Sequence, residues 1–302
     1  MTRVLIHDYW GDHVEPWLDG LVRHFEACGA RVEVWTRDSL DWAGIGALRE
    51  PRLAPARYLA RRRIHKHLRG VDRVFMWNGQ NAHHQALRRA CAEAGIPCTI
   101  VEVGYFPQRE WFTLDPLGIN ATSALMTDPL DWIGTPQLDA LAALRARYLK
   151  GRHWRGGGGY VLVPLQLAHD TNVRDHSDVR DMQDFITRCE ARFAGERLLF
   201  KVHPLDTGRY HTRHELRSDG DFLDLAVDAV RVVGINSTCL LESALLGAPT
   251  QALGDGLLRA HDHQTERLLA ALVDKQVPVG SAEIDYWLER YAAPRPAPRL
   301  AS

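Results

Sequence analysis

Asn236-Ser237-Thr238 follows the apolar run Val230–Ile235 directly and opens a stretch of helical period, so these residues carry the plainest chemistry in the chain. A helix that starts with small hydroxyl residues offers unpaired backbone N–H groups and the positive end of its dipole to an anion, phosphate above all. The same residues can also serve as an ordinary N-cap. Glu242 lies about a turn inside that helix, where a carboxylate can accept hydrogen bonds from the hydroxyls of a ribose. Two other apolar runs end in polar groups. Val161–Leu165 is followed by Gln166 and, four residues on, by Asp170. Leu198–Val202 contains Lys201 and leads into His203-Pro204, where the proline stops the strand and fixes the backbone beside the histidine. A histidine near phosphate can donate a hydrogen bond or help a phosphate leave. Three strand ends thus deliver polar groups to one rim.

The elements that must position these residues alternate short β-branched runs with amphipathic stretches. In the first half, Val4–Ile6, Val32–Trp35, Val74–Trp77 and Thr99–Val103 read as strands, with helices over Trp17–Cys28, Ala56–Arg69 and Ala82–Ala94. The rhythm predicts a parallel sheet covered on both faces. It breaks between Gly104 and Thr135, a segment rich in Pro, Asp and aromatics without a clean period. Leu138–Leu149 is again helical. The four glycines 156–159 favour neither helix nor strand and mark a flexible connector, and hence a hinge. A second series follows, with strands Val161–Leu165, Leu198–Val202, Val230–Ile235 and Thr250–Leu253. Its helices are Met182–Phe193, Phe222–Val227, Thr238–Leu246 and Thr265–Val273, with Ala282–Tyr291 last. The expected organisation is two Rossmann-like domains, 1–150 and 151–302, facing a central cleft, with the last helix packing back on the first. In open parallel sheets ligands bind outside the carboxyl ends of the strands, where the polar groups fall.

Bulk composition narrows the field. The 302 residues are 45% hydrophobic and 25% charged, as in an ordinary globular chain, and the formal net charge of -1 gives no reason to expect nucleic acid as a partner. The five cysteines are scattered and odd in number, without a C-x-x-C, which fits a reducing cytoplasm rather than a disulfide framework or a zinc site. No apolar run approaches the ~20 residues of a membrane span. There is no Walker A sequence and no G-x-G-x-x-G. Asp219-Gly220-Asp221 has the form of a metal-binding D-x-D, but reads as a turn and N-cap before Phe222.

Taken together, Gln166-x-x-x-Asp170, Lys201-x-His203-Pro204 and Asn236-Ser237-Thr238-x-x-x-Glu242 resemble the motifs of bacterial capsule polysaccharide biosynthesis proteins. More narrowly, they resemble the β-Kdo transferases among these and among lipopolysaccharide O-antigen enzymes. Glu102–Phe106 and Thr113–Asn120 resemble the segment that follows the fourth strand in that family. The resemblance runs from about Glu102 to Gly254. It implies a GT-B fold, a CMP-Kdo donor, a glycan or glycolipid acceptor, retention at the anomeric carbon and no metal. Gln166, Lys201, His203, Asn236, Ser237, Thr238 and Glu242 would then bind the nucleotide sugar.

Retention is most simply reached by two displacements, which need one carboxylate as nucleophile and a second group to manage the acceptor's proton. Asp170 is the expected nucleophile and Glu102 the expected base. The plainer alternative has Asp170 capping the turn at Thr171-Asn172 and Glu102 pairing with an arginine such as Arg109. A transferase or epimerase for UDP or GDP sugars, and a non-catalytic nucleotide-sugar-binding module, remain the competing readings. The expected location is cytoplasmic, with peripheral contact at the inner membrane face or with a partner glycosyltransferase left open.

Overall fold

The computed structural model describes residues 1–7, 15–35, 62–80, 82–167 and 170–292. His169, Arg61, the first six residues of the helix expected over Ala56–Arg69 and the Pro/Arg-rich tail lie outside the described residues; residues 62–67 are helical. Eleven strands are described: β1 (Arg3–His7), β2 (Arg31–Trp35), β3 (Arg73–Trp77), β4 (Cys98–Val103), β5 (Trp111–Asp115), β6 (Val161–Pro164), β7 (Leu198–Lys201), β8 (Glu215–Arg217), β9 (Arg231–Gly234), β10 (Thr250–Ala252) and β11 (Gln276–Pro278). They form two sheets in two units, Met1–Ile119 with Lys275–Ser302, and Asn120–Asp274.

The first sheet has the order β11-β5-β4-β3-β1-β2. β1 to β4 run parallel, as their β-branched runs predict. Leu5, Val74, Met76 and Ile100 pack with Leu87 and Cys91 of the Ala82–Ala94 helix in a continuous apolar core. The sheet is nonetheless mixed, not parallel throughout, because β5 is antiparallel to β4 and β11 to β5. Only Gly104 to Glu110 separate β4 from β5, too few residues for a crossover, so the chain must turn back as a hairpin. At its mouth Gly104 donates to the Trp111 carbonyl at 2.7 Å. A Cβ on Gly104 would lie 2.4 Å from that of Trp111, so only glycine fits this approach. The segment from Gly104 onward, which has no clean period in the sequence, thus holds a buried strand.

The last residues close this sheet. Lys275 pairs with Asp115, both almost wholly buried. Gln276 Oε1 accepts from the backbone N–H groups of Tyr105 and Phe106 at 2.6 and 2.8 Å. Thr99 donates to the Ala292 carbonyl at 2.8 Å, beyond the Asp285–Tyr291 helix.

The second sheet has the order β10-β9-β6-β7-β8 and is parallel throughout. Leu162, Val163, Leu198, Leu199 and Phe200 are fully buried, as strands covered on both faces must be. The Met182–Arg192 helix supplies Phe185, Ile186 and Cys189 to one face. The Phe222–Asp228 and Thr238–Leu246 helices follow β8 and β9.

The units part at Ile119/Asn120 and Asp274/Lys275, not at the expected 150/151. The Thr135–Leu149 helix belongs to the second unit, where Arg145 donates to the Leu245 carbonyl at 2.9 Å. The glycine run also lies inside that unit. Arg155 and Gly156 donate to the Val227 carbonyl at 2.8 and 3.2 Å, and Gly158 to that of Asp228 at 2.7 Å. These are carbonyls at the end of the Phe222–Asp228 helix that have no partner within it, and a bare backbone can approach them closely. The run is a helix-end strap and not an interdomain hinge. Among the described residues, no helix is long and apolar enough to cross a membrane.

Candidate functional site

The expected residues of the second unit gather at the carboxyl ends of β6, β7 and β9. Gln166 and Asn236 are both buried and face each other. Gln166 Nε2 donates to Asn236 Oδ1 at 3.2 Å, while the Asn236 N–H donates to Gln166 Oε1 at 3.2 Å. Asn236 Nδ2 donates to the carbonyls of Asn172 and Asp255 at 2.9 and 3.0 Å. Asn120 adds a bridge, donating to the Asn236 carbonyl at 2.9 Å and accepting from the Leu257 N–H at 3.0 Å. The polar groups of Gln166 and Asn236 are thus engaged with the protein. They fix the rim.

Asp170 is the N-cap of the Thr171–His176 helix, its Oδ1 accepting from the Asn172 N–H at 2.8 Å. Oδ2 accepts a longer contact of 3.4 Å from the Gln166 amide. The cap at Thr171-Asn172 is therefore formed.

Lys201 ends β7 with 6% of its surface exposed. Its Nζ donates to the carbonyls of Val202 and Ser218 at 3.2 and 3.0 Å. Both partners are neutral, so they solvate the buried charge without neutralising it. That charge is felt at His203 and at the Cys239 thiol. His203 accepts from the Leu205 N–H through Nδ1 at 3.1 Å, so the neutral ring carries its proton on Nε2. Burial holds the His203 pKa below the ordinary 6.5; Lys201 acts in the same direction, with Asp206 and Asp170 opposing. The ring is a neutral donor at neutral pH.

Ser237 caps the Thr238–Leu246 helix, its hydroxyl accepting from the Cys239 N–H at 3.2 Å. Burial pushes the Cys239 thiol up to about 12, so it acts as an apolar filler under the helix start. Glu242 is half-buried and not a solvated surface glutamate. The Tyr148 hydroxyl donates to its Oε1. Burial raises the Glu242 pKa, Tyr148 opposes that, and Asp221 adds to it. Asp221 caps the Phe222–Asp228 helix by accepting from the Asp224 N–H at 3.2 Å, the role its D-x-D spacing was expected to hide. Among the described residues there is no group of three His, Cys, Asp or Glu arranged to hold a metal ion.

In the first unit, Glu102 sits on β4 and accepts from Asn78 Nδ2 at 2.8 Å. Asn78 follows β3 with φ 62, a left-handed conformation that asparagine tolerates, and its Oδ1 accepts from the Gln80 N–H at 3.2 Å. The Asn78-Gly79 pair after an apolar run is a turn signal that could have flagged this residue in the sequence. Tyr148 carried no such signal, since its partner lies 94 residues away.

Two α/β units of this kind, each with parallel strands at its centre, define the GT-B class of glycosyltransferase folds. The fold is shared with Thermosulfurimonas dismutans KpsC, in its β-Kdo 2,7 transferase (TM-score 0.61, 14% identity, 90% of each chain covered). It is shared also with the KpsC β-Kdo 2,4 transferase (TM-score 0.58, 16% identity, 88% of this chain and 89% of that one). Residues 142–257 match the capsule polysaccharide biosynthesis protein family. That segment holds β6 to β10 and every expected site residue from Gln166 to Glu242, so the resemblance carried by the motifs holds over the unit that contains them. In sequence the chain is similar to protein FixF of Sinorhizobium fredii, 28% identical over 220 residues. The match covers 63% of this chain and only 50% of FixF, about half the relative's length. It is also similar to the Escherichia coli capsule polysaccharide export protein KpsS, 21% identical over 264 residues, covering 62% of this chain and 68% of KpsS.

Proposed function

We propose that the protein is a retaining glycosyltransferase that moves Kdo from CMP-Kdo to a bacterial surface glycan or glycolipid. The observation that carries this reading is the Lys201 ammonium, buried at a strand end and held, among the described residues, by neutral carbonyls. A charge so placed awaits an anion. With the Nε2–H of His203 and the helix start at Ser237 and Thr238, it supplies what a departing nucleotide monophosphate needs without a metal ion. Glu242, with Oε1 taken by Tyr148, offers Oε2 to a ribose hydroxyl.

In the first displacement an Asp170 oxygen bonds to the anomeric carbon. The bond from that carbon to the phosphate oxygen breaks, and CMP leaves with the electron pair. The cap through Oδ1 aims the carboxylate, and Oδ2, held by the longer contact from Gln166, is the oxygen for attack. In the second, the acceptor oxygen bonds to the same carbon, Asp170 departs as a carboxylate, and Glu102 takes the hydroxyl proton. Two inversions give retention. The KpsC structures, solved as β-Kdo transferases on the same fold, support the choice of sugar.

The test is nucleotide release from CMP-Kdo, UDP-sugars and GDP-sugars, with and without glycan acceptors and with a chelator present. CMP release that depends on acceptor and survives chelation supports the reading. Release of UDP or GDP instead transfers it to another donor, and release from none leaves a binding module.

A further inference from the structure

We infer that Tyr148 is a positioning residue that holds the Glu242 carboxylate ionised and aimed at the donor nucleotide; this rests on the reading of Glu242 as the ribose contact. Tyr148 lies in the last turn of the Thr135–Leu149 helix, before the chain enters the glycine strap, and its hydroxyl donates to Glu242 on the Thr238–Leu246 helix. A carboxylate can only accept, so the bond has one direction and fixes which oxygen is left over.

Glu242 needs this help because of what surrounds it. Asp221, at the cap of the Phe222–Asp228 helix, adds a like charge, and Cys239 on the same helix is held as a neutral thiol. Arg152, whose charge is felt at Tyr148, is engaged with Asp224 at 2.7 Å and with Asp221 at 3.9 Å. Among the described residues, the direct hydrogen-bond partner of Glu242 is thus a neutral phenol. Burial and the adjacent carboxylate keep the Tyr148 pKa above its ordinary 10, so the phenol stays a donor at any pH the protein meets. A hydrogen bond to the charged form favours that form. Without it, burial and Asp221 act unopposed and the balance at Glu242 moves toward the protonated form. A protonated Glu242 has lost much of its power to accept from a ribose hydroxyl.

The test separates the inference from the reading beneath it. The Glu242 side-chain carboxyl, assigned with Glu242→Gln, is titrated by carbon-13 NMR in the free protein. Tyr148→Phe is expected to move its midpoint up by about one pH unit, tenfold in the proton equilibrium. Incorporation of 3-fluorotyrosine, a more acidic phenol and stronger donor, keeps the fold intact and is expected to move the midpoint down. Calorimetry with CMP and with 2′-deoxy-CMP then reads the consequence. CMP affinity should fall with decreasing pH, and Tyr148→Phe should shift that fall upward by the same amount as the titration. A midpoint that neither Tyr148→Phe nor fluorotyrosine moves overturns the inference. Equal CMP affinity in wild type and Glu242→Gln overturns the ribose reading on which it stands.

Discussion

Gln166 and Asn236, 70 residues apart, are joined by two hydrogen bonds of 3.2 Å, one between side-chain amides and one from the Asn236 backbone to the Gln166 side chain. This pair stitches the end of β6 to the end of β9 and fixes where Asp170 and Ser237 stand. Asn236→Ala is therefore expected to act on stability. It leaves Gln166 Nε2 without its acceptor and the carbonyls of Asn172 and Asp255 without their donor, at a total cost of about 3 kcal/mol. Denaturant unfolding would measure it. A loss below half of that would mean that water or neighbours replace the amide and that the pair is not what fixes the rim.

Lys201→Met should act chiefly on the anion site, beyond the stability cost of leaving the Val202 and Ser218 carbonyls without a donor. Hydrogen bonds to a charged group are worth about 1.5–3 kcal/mol, so CMP should bind roughly 10- to 150-fold more weakly. Calorimetry with CMP and with cytidine gives the discriminating pair: cytidine, lacking the phosphate, should bind both proteins alike. A variant that lost both ligands equally would show a general collapse of the site.

His203 links stability to pH with a definite sign. Its folded pKa lies below the ordinary 6.5, chiefly through burial, so the unfolded chain takes up the proton first as pH falls. The histidine's contribution is complete above 6.5, is lost as pH drops through 6.5 toward the folded value, and is constant below it. His203→Gln should flatten the stability curve in that window. Nitrogen-15 NMR should also find the neutral ring protonated on Nε2. A ring protonated on Nδ1 would remove the donor assigned to the phosphate.

The glycine strap offers a sharp contrast between adjacent positions. A Cβ on Gly158 would meet the Tyr160 ring at 2.4 Å and the Asp228 carbonyl at 2.9 Å. Gly158→Ala should cost about 1–3 kcal/mol through overpacking. At Gly157 a Cβ meets nothing within 4 Å. Gly157→Ala should be neutral or stabilise by about 0.4–1 kcal/mol, by restricting the unfolded chain. Thermal melts of the two variants decide it. Equal, small effects would fit a flexible connector, as the sequence suggests, and not a strap.

By itself the sequence determined the strands whose burial is their cause. Val4–Ile6, Val74–Trp77, Leu198–Phe200 and Val232–Val233 are runs that only a covered sheet can hide, and each is a strand. It also determined the helix start at Ser237 and the cap at Asp221, because capping is local chemistry between residues two or three apart. Tertiary structure decided what depends on distant partners. β8 is three residues on a sheet edge, β11 returns from the end of the chain to pair with β5, and neither has a period long enough to read. Four glycines look alike in a sequence whether they swing free or lie along a helix end, since the carbonyls that hold them belong to Val227 and Asp228. The same holds for chemistry. Residue types marked Lys201 and Glu242 as candidates, but that one is a buried cation on neutral carbonyls and the other a carboxylate held by Tyr148 is set by elements far apart in the chain. A charge's reactivity follows from its solvation and its nearest dipoles, and those exist only once the chain has folded.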